Sequence, residues 1–543
     1  MRLTLNNTRA GQGYQIWSLT NLSLTNWVVA TNFTGATGSL TQVLLPTTNR
    51  PIAFFRASGT NESIYTVDTN ATFLGLNFDD TGAFVPDSMG AVGPNHFIEL
   101  LNCQDPSRTA IAIYDKAGHL LAKTNTHDFF RTDATHPTTT DRLTDQRILY
   151  DHHAQRWIAC TLDVAGSRDV MLAVSTTDSP TNFTTGWNRY LIPVSRTNTQ
   201  SDLPTLGLDD NGVYVTILHQ EGNNNGGHTV VAIKKPEIYQ GNLISTRLEI
   251  YTSNSLSVWT IQPAVNFDAV PTNGYAWLVA KGPPDLGTNY QGGALCYRRM
   301  QWSGSNVVLV DTNWVVVTND GPTYRNYYDL DGTNVTVVAG AGEVSAPHPF
   351  GGPGERITLH LGGSRLAMPV IRQGFLWTCQ AVGLNGTNGV YVGDVNDTNV
   401  TRSGLQWLKM EVDAPGGALH YSTHGRVYDR AATNPWYYYF PSLMVNCAGD
   451  MVMGFSGSSA TNYIGAFYSL RRAGGETTEV PRVIRLGNIE FNDGARWGDY
   501  SATTLDPADD SSFWSVQQVA DEAGSAVGLT DWSTVIVKIR IVP

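Results

Sequence analysis

A chain of 543 residues is long enough for one large repeat domain and a small appendage, and only 15% of it is charged. The formal charge of -12 excludes a nucleic-acid backbone as the expected partner, since no excess of Lys and Arg exists to release counterions. No apolar run reaches eighteen residues, so no membrane-spanning helix is expected. With 53 Gly, 23 Tyr and 14 Trp, and with Asn, Thr and Ser crowded between short apolar runs, the composition is that of a turn-rich all-β protein.

Met1 runs straight into RLTLNNTRAGQGYQIWS without the charged and apolar regions of a signal peptide, which predicts a piece of a longer gene product. Residues 1–58 carry three or four short strands and form a first unit, followed by a polar linker over 59–71, GTNESIYTVDTNA. From 72 to 543 the strand pattern is unbroken. The five cysteines, Cys103, Cys160, Cys296, Cys379 and Cys447, are far apart, lack metal-ligand spacing and read mostly as small buried hydrophobes, with room for one disulfide.

Within 72–543 one unit recurs. A polar residue opens an apolar run, a Gly/Asn/Asp turn follows, and an aromatic or apolar strand returns about twelve residues later. The copies begin at Asp87, Asp145, Asp202, Gln262, Arg365, Tyr439 and Asp499, at intervals of roughly 57 to 75 residues with one near 104. Radial repetition of this kind predicts a seven-bladed β-propeller; six or eight blades would fit similar spacing. The C-terminal VIVKIRIVP has no strand after it, so it is expected to close the ring against Phe73 to Phe78. The long interval before the fifth copy is expected to fold over one face as a lid or groove wall.

Innermost strands line the channel of a propeller, so the seven opening residues are expected to form a ring at one mouth, with Arg147, Arg496 and Trp497 beside them. Crowded carboxylates raise one another's pKa, and a carboxyl pair beside arginines and a tyrosine suits acid/base work on a glycosidic bond. Asp87, Asp145, Asp202, Asp499, Tyr439 and Tyr500 are the catalytic candidates. Arg147, Arg365, Arg426 and Arg496 could grip an anionic sugar, and Trp497, Trp436 and Tyr437 could stack on its ring. The same aspartates serve equally as ties between blades through backbone amides, or as ligands for a structural Ca²⁺, the only cofactor anticipated.

Three acidic turns, at Asp209–Asn211, at Asp329, Asp331 and Asn334, and at Asp394–Asp397, lack the full calcium-loop form and suit hairpin turns; the second is the best metal candidate. His420 and His424, with Arg426 and Tyr428 following, offer a base and a carboxylate-neutralising arginine for uronate elimination, His420 being the candidate base. His152 and His153 fall in a blade turn, where solvated side chains are expected.

Two resemblances accompany these residues. Tyr14, Ile16, Thr20, Asn21, Leu22, Trp27, Phe54, Phe55 and Arg56 match the pattern of a small β-sandwich module found in secreted proteins of Verrucomicrobia-like bacteria, which implies a spacer or carbohydrate-proximal adaptor. DQRILYDHHAQRWIACTLD, SDLPTLGLDDNGVYVTI and RWGDYSATTLDPADDSSFW resemble secreted bacterial propeller proteins of the sialidase-like type. That resemblance implies a propeller over about 85–540, a glycan partner, a secreted or cell-surface location and a monomer. Thr176 to Phe183 fits the fold-stabilising Asp box only loosely, with Pro180 in place of glycine, and no Tyr/Glu pair of a sialidase stands out. The function expected is glycan cleavage at the channel mouth, by hydrolysis or elimination, with a non-catalytic glycan-binding or adhesion module as the alternative.

Overall fold

The computed structural model describes strands within residues 2–59, and residues 66–542 apart from 104, 134–136, 138–141, 166–167, 222–223, 251–259, 271–273, 282–294, 312–314, 318–345, 350–355, 360–364, 388–389, 394–400, 413–416, 476, 492–495 and 523–530. Among the described residues strands predominate and only three short helices occur, an all-β protein. The chain divides into two compact units, Met1–Asp68 with Ile541–Pro543, and Thr69–Arg540. In the first, Gly13–Leu19 pairs antiparallel with Val28–Thr34 on one side and Phe54–Gly59 on the other. A separate antiparallel pair joins Arg2–Asn6 to Leu40–Leu44.

The second unit is a succession of antiparallel sheets in chain order, each starting on one of the recurring segments. Met89–Val92, His96–Leu100, Ile111–Asp115 and Leu120–Thr124 form the first, and Leu143–Asp151, Arg156–Asp163, Val170–Ser175 and Trp187–Ile192 the next. Later sheets open on Gln200–Leu208, Ile261–Pro263, Val370–Arg372, Tyr437–Val445 and Ala502–Leu505. Opening strands of successive sheets pack side by side, and Ala502–Leu505 packs back against Met89–Val92. The arrangement is a β-propeller, in which five blades are distinguished. Between Leu208 and Val370, Val265 pairs in parallel with both and stitches neighbouring sheets into one ten-stranded sheet.

Two local devices explain why these segments fold alike. Where an opening strand ends, a short polar side chain caps the hairpin through backbone N–H groups: Asp151 Oδ1 accepts from His153 and Ala154, Asp209 Oδ1 from Asn211 and Gly212, and Asn446 Oδ1 from Ala448 and Asp450. Where it begins, a two-residue bulge interrupts the ladder at 145–146, 203–204 and 440–441, and its first residue is left-handed: Asp145 at φ 56°, Leu203 at 50° and Phe440 at 49°. Asp87, with φ 46°, has the same conformation just before Met89–Val92.

The C-terminal strand pairs antiparallel with Thr72–Asn77, Val537 opposite Thr72 and Ser533 opposite Asn77, as the unpartnered VIVKIRIVP predicts. Between sheets the core is aromatic, with Trp157, Trp407, Trp514 and Trp532 buried. Cys160, Cys296 and Cys379 are buried and all five cysteines are free thiols. The Asp-box-like segment is a turn between Val170–Ser175 and Trp187–Ile192, where the Trp157 and Trp187 indoles donate to the carbonyls of Asp178 and Pro180. Most of the expected lid falls on 318–345, outside the described residues.

Candidate functional site

One cavity is lined by every opening segment: Met89, Arg147, Leu203 and Leu206, Thr260 and Gln262, Arg365 to Met368, Phe440 to Leu443, and Asp499 to Thr503. It is the near mouth of the channel. Its polar groups are Arg147, Gln262, Arg365, Asp499, Tyr500 and neighbouring hydroxyls.

Tyr500 stands at the centre of this chemistry. Its hydroxyl donates to Asp145 Oδ1 at 3.0 Å, and the Arg147 guanidinium carbon lies 3.5 Å from its ring centroid. Arg147 is itself fixed by donating from Nε to the Pro204 carbonyl at 2.9 Å. Burial, then the neighbouring Asp202, push the Asp145 carboxyl up to about 6, although Arg147 opposes the rise. Burial and the Asp145 charge hold the Tyr500 phenol well above its ordinary range.

Asp87 lies behind the wall, 3% exposed, with its carboxyl raised by burial and by Asp499 and Asp145. Both of its oxygens are engaged: Oδ1 accepts from the Asp499 N–H at 2.7 Å and Oδ2 from Asn102 Nδ2 at 2.7 Å. Asn102 Oδ1 in turn accepts from the Asp145 N–H at 2.9 Å and from the Thr144 hydroxyl. This side chain clamps two left-handed aspartate corners together. Sequence reasoning missed it, because Asn102 follows the apolar strand His96–Leu100 and belongs to no recurring pattern.

The opening residues do not share one register, although the aspartates gather: Asp499 and Asp145 raise the Asp87 carboxyl, and Asp202 and Asp499 raise that of Asp145. Bulge register makes Asp145 equivalent to Leu203 and Phe440, so Asp202 and Tyr439 sit one position earlier. A one-residue slip changes which way a strand side chain points. Tyr439 is consequently buried in the blade, its hydroxyl on Ser458 Oγ at 3.0 Å, and does not reach the mouth. Asp202 accepts from Gln220 Nε2 at 2.8 Å, and burial raises its carboxyl. Gln262 donates to the Leu366 carbonyl, tying two opening strands. Arg365 is exposed on the cavity wall, and Arg496 is exposed and ion-paired with Asp499 at 3.0 Å.

The aromatic candidates are engaged within the protein. Trp497 is 2% exposed with its indole on Ser456, Trp436 packs edge-on against Phe467, and the Tyr437 hydroxyl donates to the Thr401 carbonyl at 2.5 Å. His420 and Arg426 also fall away from the mouth, on Leu419–Val427, the outermost strand of their sheet. A bulge between Tyr421 and Thr423 breaks the alternation that would have aligned His420 with His424, and His424 meets the Tyr421 hydroxyl at 2.8 Å. Asp329, Asp331 and Asn334, like Asp394 to Asp397, lie outside the described residues. Asp209 caps its turn and accepts from Tyr214, and Asp210 pairs with His153 at 2.6 Å. Among the described residues no three His, Cys, Asp or Glu side chains gather as a metal-binding group. His152 and His153 are half-buried rather than solvated.

No family model and no curated protein matches the sequence. Among solved structures the chain is similar to the sialidase of Trypanosoma rangeli in complex with 2,3-difluorosialic acid, at 10% identity and a TM-score of 0.33, covering 79% of this chain and 56% of that one. It is also similar to the alpha-L-arabinanase of Penicillium chrysogenum complexed with arabinobiose, at 13% identity and a TM-score of 0.37, over 75% and 99% of the two chains. The GH43 endo-arabinanase of Bacillus licheniformis gives 10% identity and a TM-score of 0.28, over 62% of this chain and 96% of that one. The chain thus spans little more than half the length of the sialidase it matches.

Proposed function

We propose that the near mouth binds an acidic glycan and hydrolyses a glycosidic bond, with Tyr500 as nucleophile and Asp145 as its base. The observation that carries this reading is the Tyr500 to Asp145 hydrogen bond, set in a cavity whose wall also bears Asp499 and Arg365. A phenol is a weak nucleophile until an adjacent base takes its proton. As Tyr500 Oη attacks the anomeric carbon, its proton passes to Asp145, and the leaving oxygen takes a proton from solvent, which recovers one from Asp499 after the water step. Water then cleaves the glycosyl-tyrosine bond, giving its proton to Asp499, while Asp145 returns one to Tyr500. Arg147 over the ring favours the phenolate, and Arg365 supplies the charge that would hold a sugar carboxylate.

Binding without cleavage is the second reading, favoured by one observation: both Asp87 oxygens are consumed by protein donors, as in a tie between blades. Incubation with acidic and neutral polysaccharides, following new reducing ends and the ultraviolet absorbance of unsaturated uronate, separates the readings. Reducing ends without absorbance, lost about 100-fold or more in Tyr500→Phe, support hydrolysis. Retention on a glycan column with no product on any substrate would leave binding alone, and activity intact in Tyr500→Phe would remove the mechanism.

We further propose that the ring counts seven blades, one for each recurring segment, because each of the seven contributes to the one cavity. The first unit is then a β-sandwich spacer, and a glycan substrate suits a secreted or cell-surface protein.

A further inference from the structure

The same opening strands end at a second cavity. Met89 lines the near mouth while Ala91 and Val92 line the other; Arg147 faces one, and Leu149 and Tyr150 the other; Thr503 belongs to the first, and Thr504 and Leu505 to the second. The far mouth encloses about 470 Å³, against about 90 Å³ at the near one. Small-molecule sites run at ~300–1,000 Å³ with apolar walls and a few polar groups, so the far mouth has room for a sugar ring.

Its chemistry differs from that of the near mouth. Val92, Leu149, Val265, Met444 and Leu505 give an apolar wall. On the rim, Arg372 is ion-paired with Asp510 and lies over the Phe267 ring, 5.1 Å from its centroid. The opposite charges of this pair cancel, so the site does not select an anion. Asp510 is nonetheless 45% exposed, leaving its carboxylate open to a ligand beside the guanidinium. His152 stacks on Phe267 at 4.1 Å with rings nearly parallel, and burial, with His153 adding to it, drives its pKa down to about 2, so it is neutral. His152 has the Phe267 backbone close to its ring, and among the described residues the Tyr150 hydroxyl meets no hydrogen-bond partner. Asp268, by contrast, is spent on the backbone N–H groups of Gln373 and Gly374.

We propose that the far mouth is a second, non-catalytic saccharide site that takes a neutral hydroxylated ring, its vicinal hydroxyls shared between Arg372 and Asp510 and its C–H face against the apolar wall. A hydroxyl donates and accepts at once, which is what an adjoining guanidinium and carboxylate require. Among the described residues of this cavity Asp268 is spent on backbone donors and Asp510 is the one carboxyl left open, so the site is assigned holding and not cutting. The inference stands apart from the near-mouth reading.

Isothermal titration of the full chain with methyl glycosides of galactose, glucose, mannose and xylose tests it, with benzoate as a planar anion. At least one glycoside is expected to bind at one site per chain, unchanged in Tyr500→Phe and weakened about tenfold or more in Asp510→Asn and Arg372→Gln. Asn keeps the left-handed turn that Asp510 occupies at φ 49°, so the first variant spares the fold. Absence of heat from every glycoside, binding of benzoate alone, or binding lost in Tyr500→Phe but kept in Asp510→Asn would overturn the proposal. Should either rim variant melt early, wild-type crystals soaked with the tightest glycoside decide by where it lies.

Discussion

Glu99 sits where the ring closes, and its protonation governs how firmly. It is fully buried, and its Oε2 accepts from the Leu76 N–H at 2.9 Å and the Tyr114 hydroxyl at 3.2 Å. Oε1 meets the Thr534 hydroxyl, which also lies 2.9 Å from the Leu76 carbonyl. Thr534 has one proton to give. If it goes to the carbonyl, Oε1 must itself carry a proton toward Thr534, and the network is complete only with Glu99 neutral. Burial accordingly raises the carboxyl from 4.5 to about 7, against the pull of those donors.

The sign follows from linkage. A folded pKa above the unfolded one means the folded state holds its proton longer, so the stabilisation is fully present below about pH 4.5 and is lost as pH climbs through 7. About 2.5 units at 1.36 kcal/mol each is about 3 kcal/mol. Glu99→Gln reproduces the protonated pattern, with the amide NH₂ toward Thr534 and its oxygen toward Leu76 and Tyr114. Denaturant unfolding of both proteins at pH 5 and pH 9 should give near-equal stability at the lower pH and about 3 kcal/mol in favour of the variant at the higher. For a unit this long that is roughly 3 °C in melting temperature. Parallel curves for the two proteins from pH 5 to 9 would refute a neutral Glu99.

Other outcomes follow from single contacts. Asp151→Ala should cost about 3–5 kcal/mol by denaturant titration, since it strands the Lys235 ammonium, 3% exposed and 2.6 Å from that carboxylate. Asn102→Ala should lower kcat with little change in KM, because it frees both aspartate corners without touching the cavity wall; a changed KM alone would remove its positioning role. Gly207→Ala should unfold early on heating, as the new methyl would lie 2.5 Å from the Pro263 carbonyl oxygen where adjacent strands are stitched. If Asp145 is the base, activity should rise with pH through an apparent pKa near 6 and then level, and an acid-side limb near 4 would discharge it.

Repetition was legible in the chain because it is written locally. Asp151, Asp209 and Asn446 each end an apolar run and cap its hairpin through their own backbone neighbours, a device that needs no distant partner. The closing strand was legible for a similar reason: VIVKIRIVP alternates over its own few residues, and it pairs with Thr72–Asn77. The candidate site was half legible. Asp145, Arg147, Asp499 and Tyr500 were named, but Tyr439 and Asp202 were aligned one residue out, since a bulge adds a residue to the strand without marking the sequence.

Sequence alone thus determined the all-β class, the recurring unit and the strand that closes the ring, all consequences of pattern and turn chemistry over a dozen residues. Tertiary structure decided which tyrosine faces the channel, that Asn102 binds two aspartate corners 15 and 43 residues away, and that Tyr500 finds its carboxylate 355 residues earlier. It also took the His420 strand to the rim of its sheet. Those pairings arise from packing one sheet against the next, and no spacing along the chain records them.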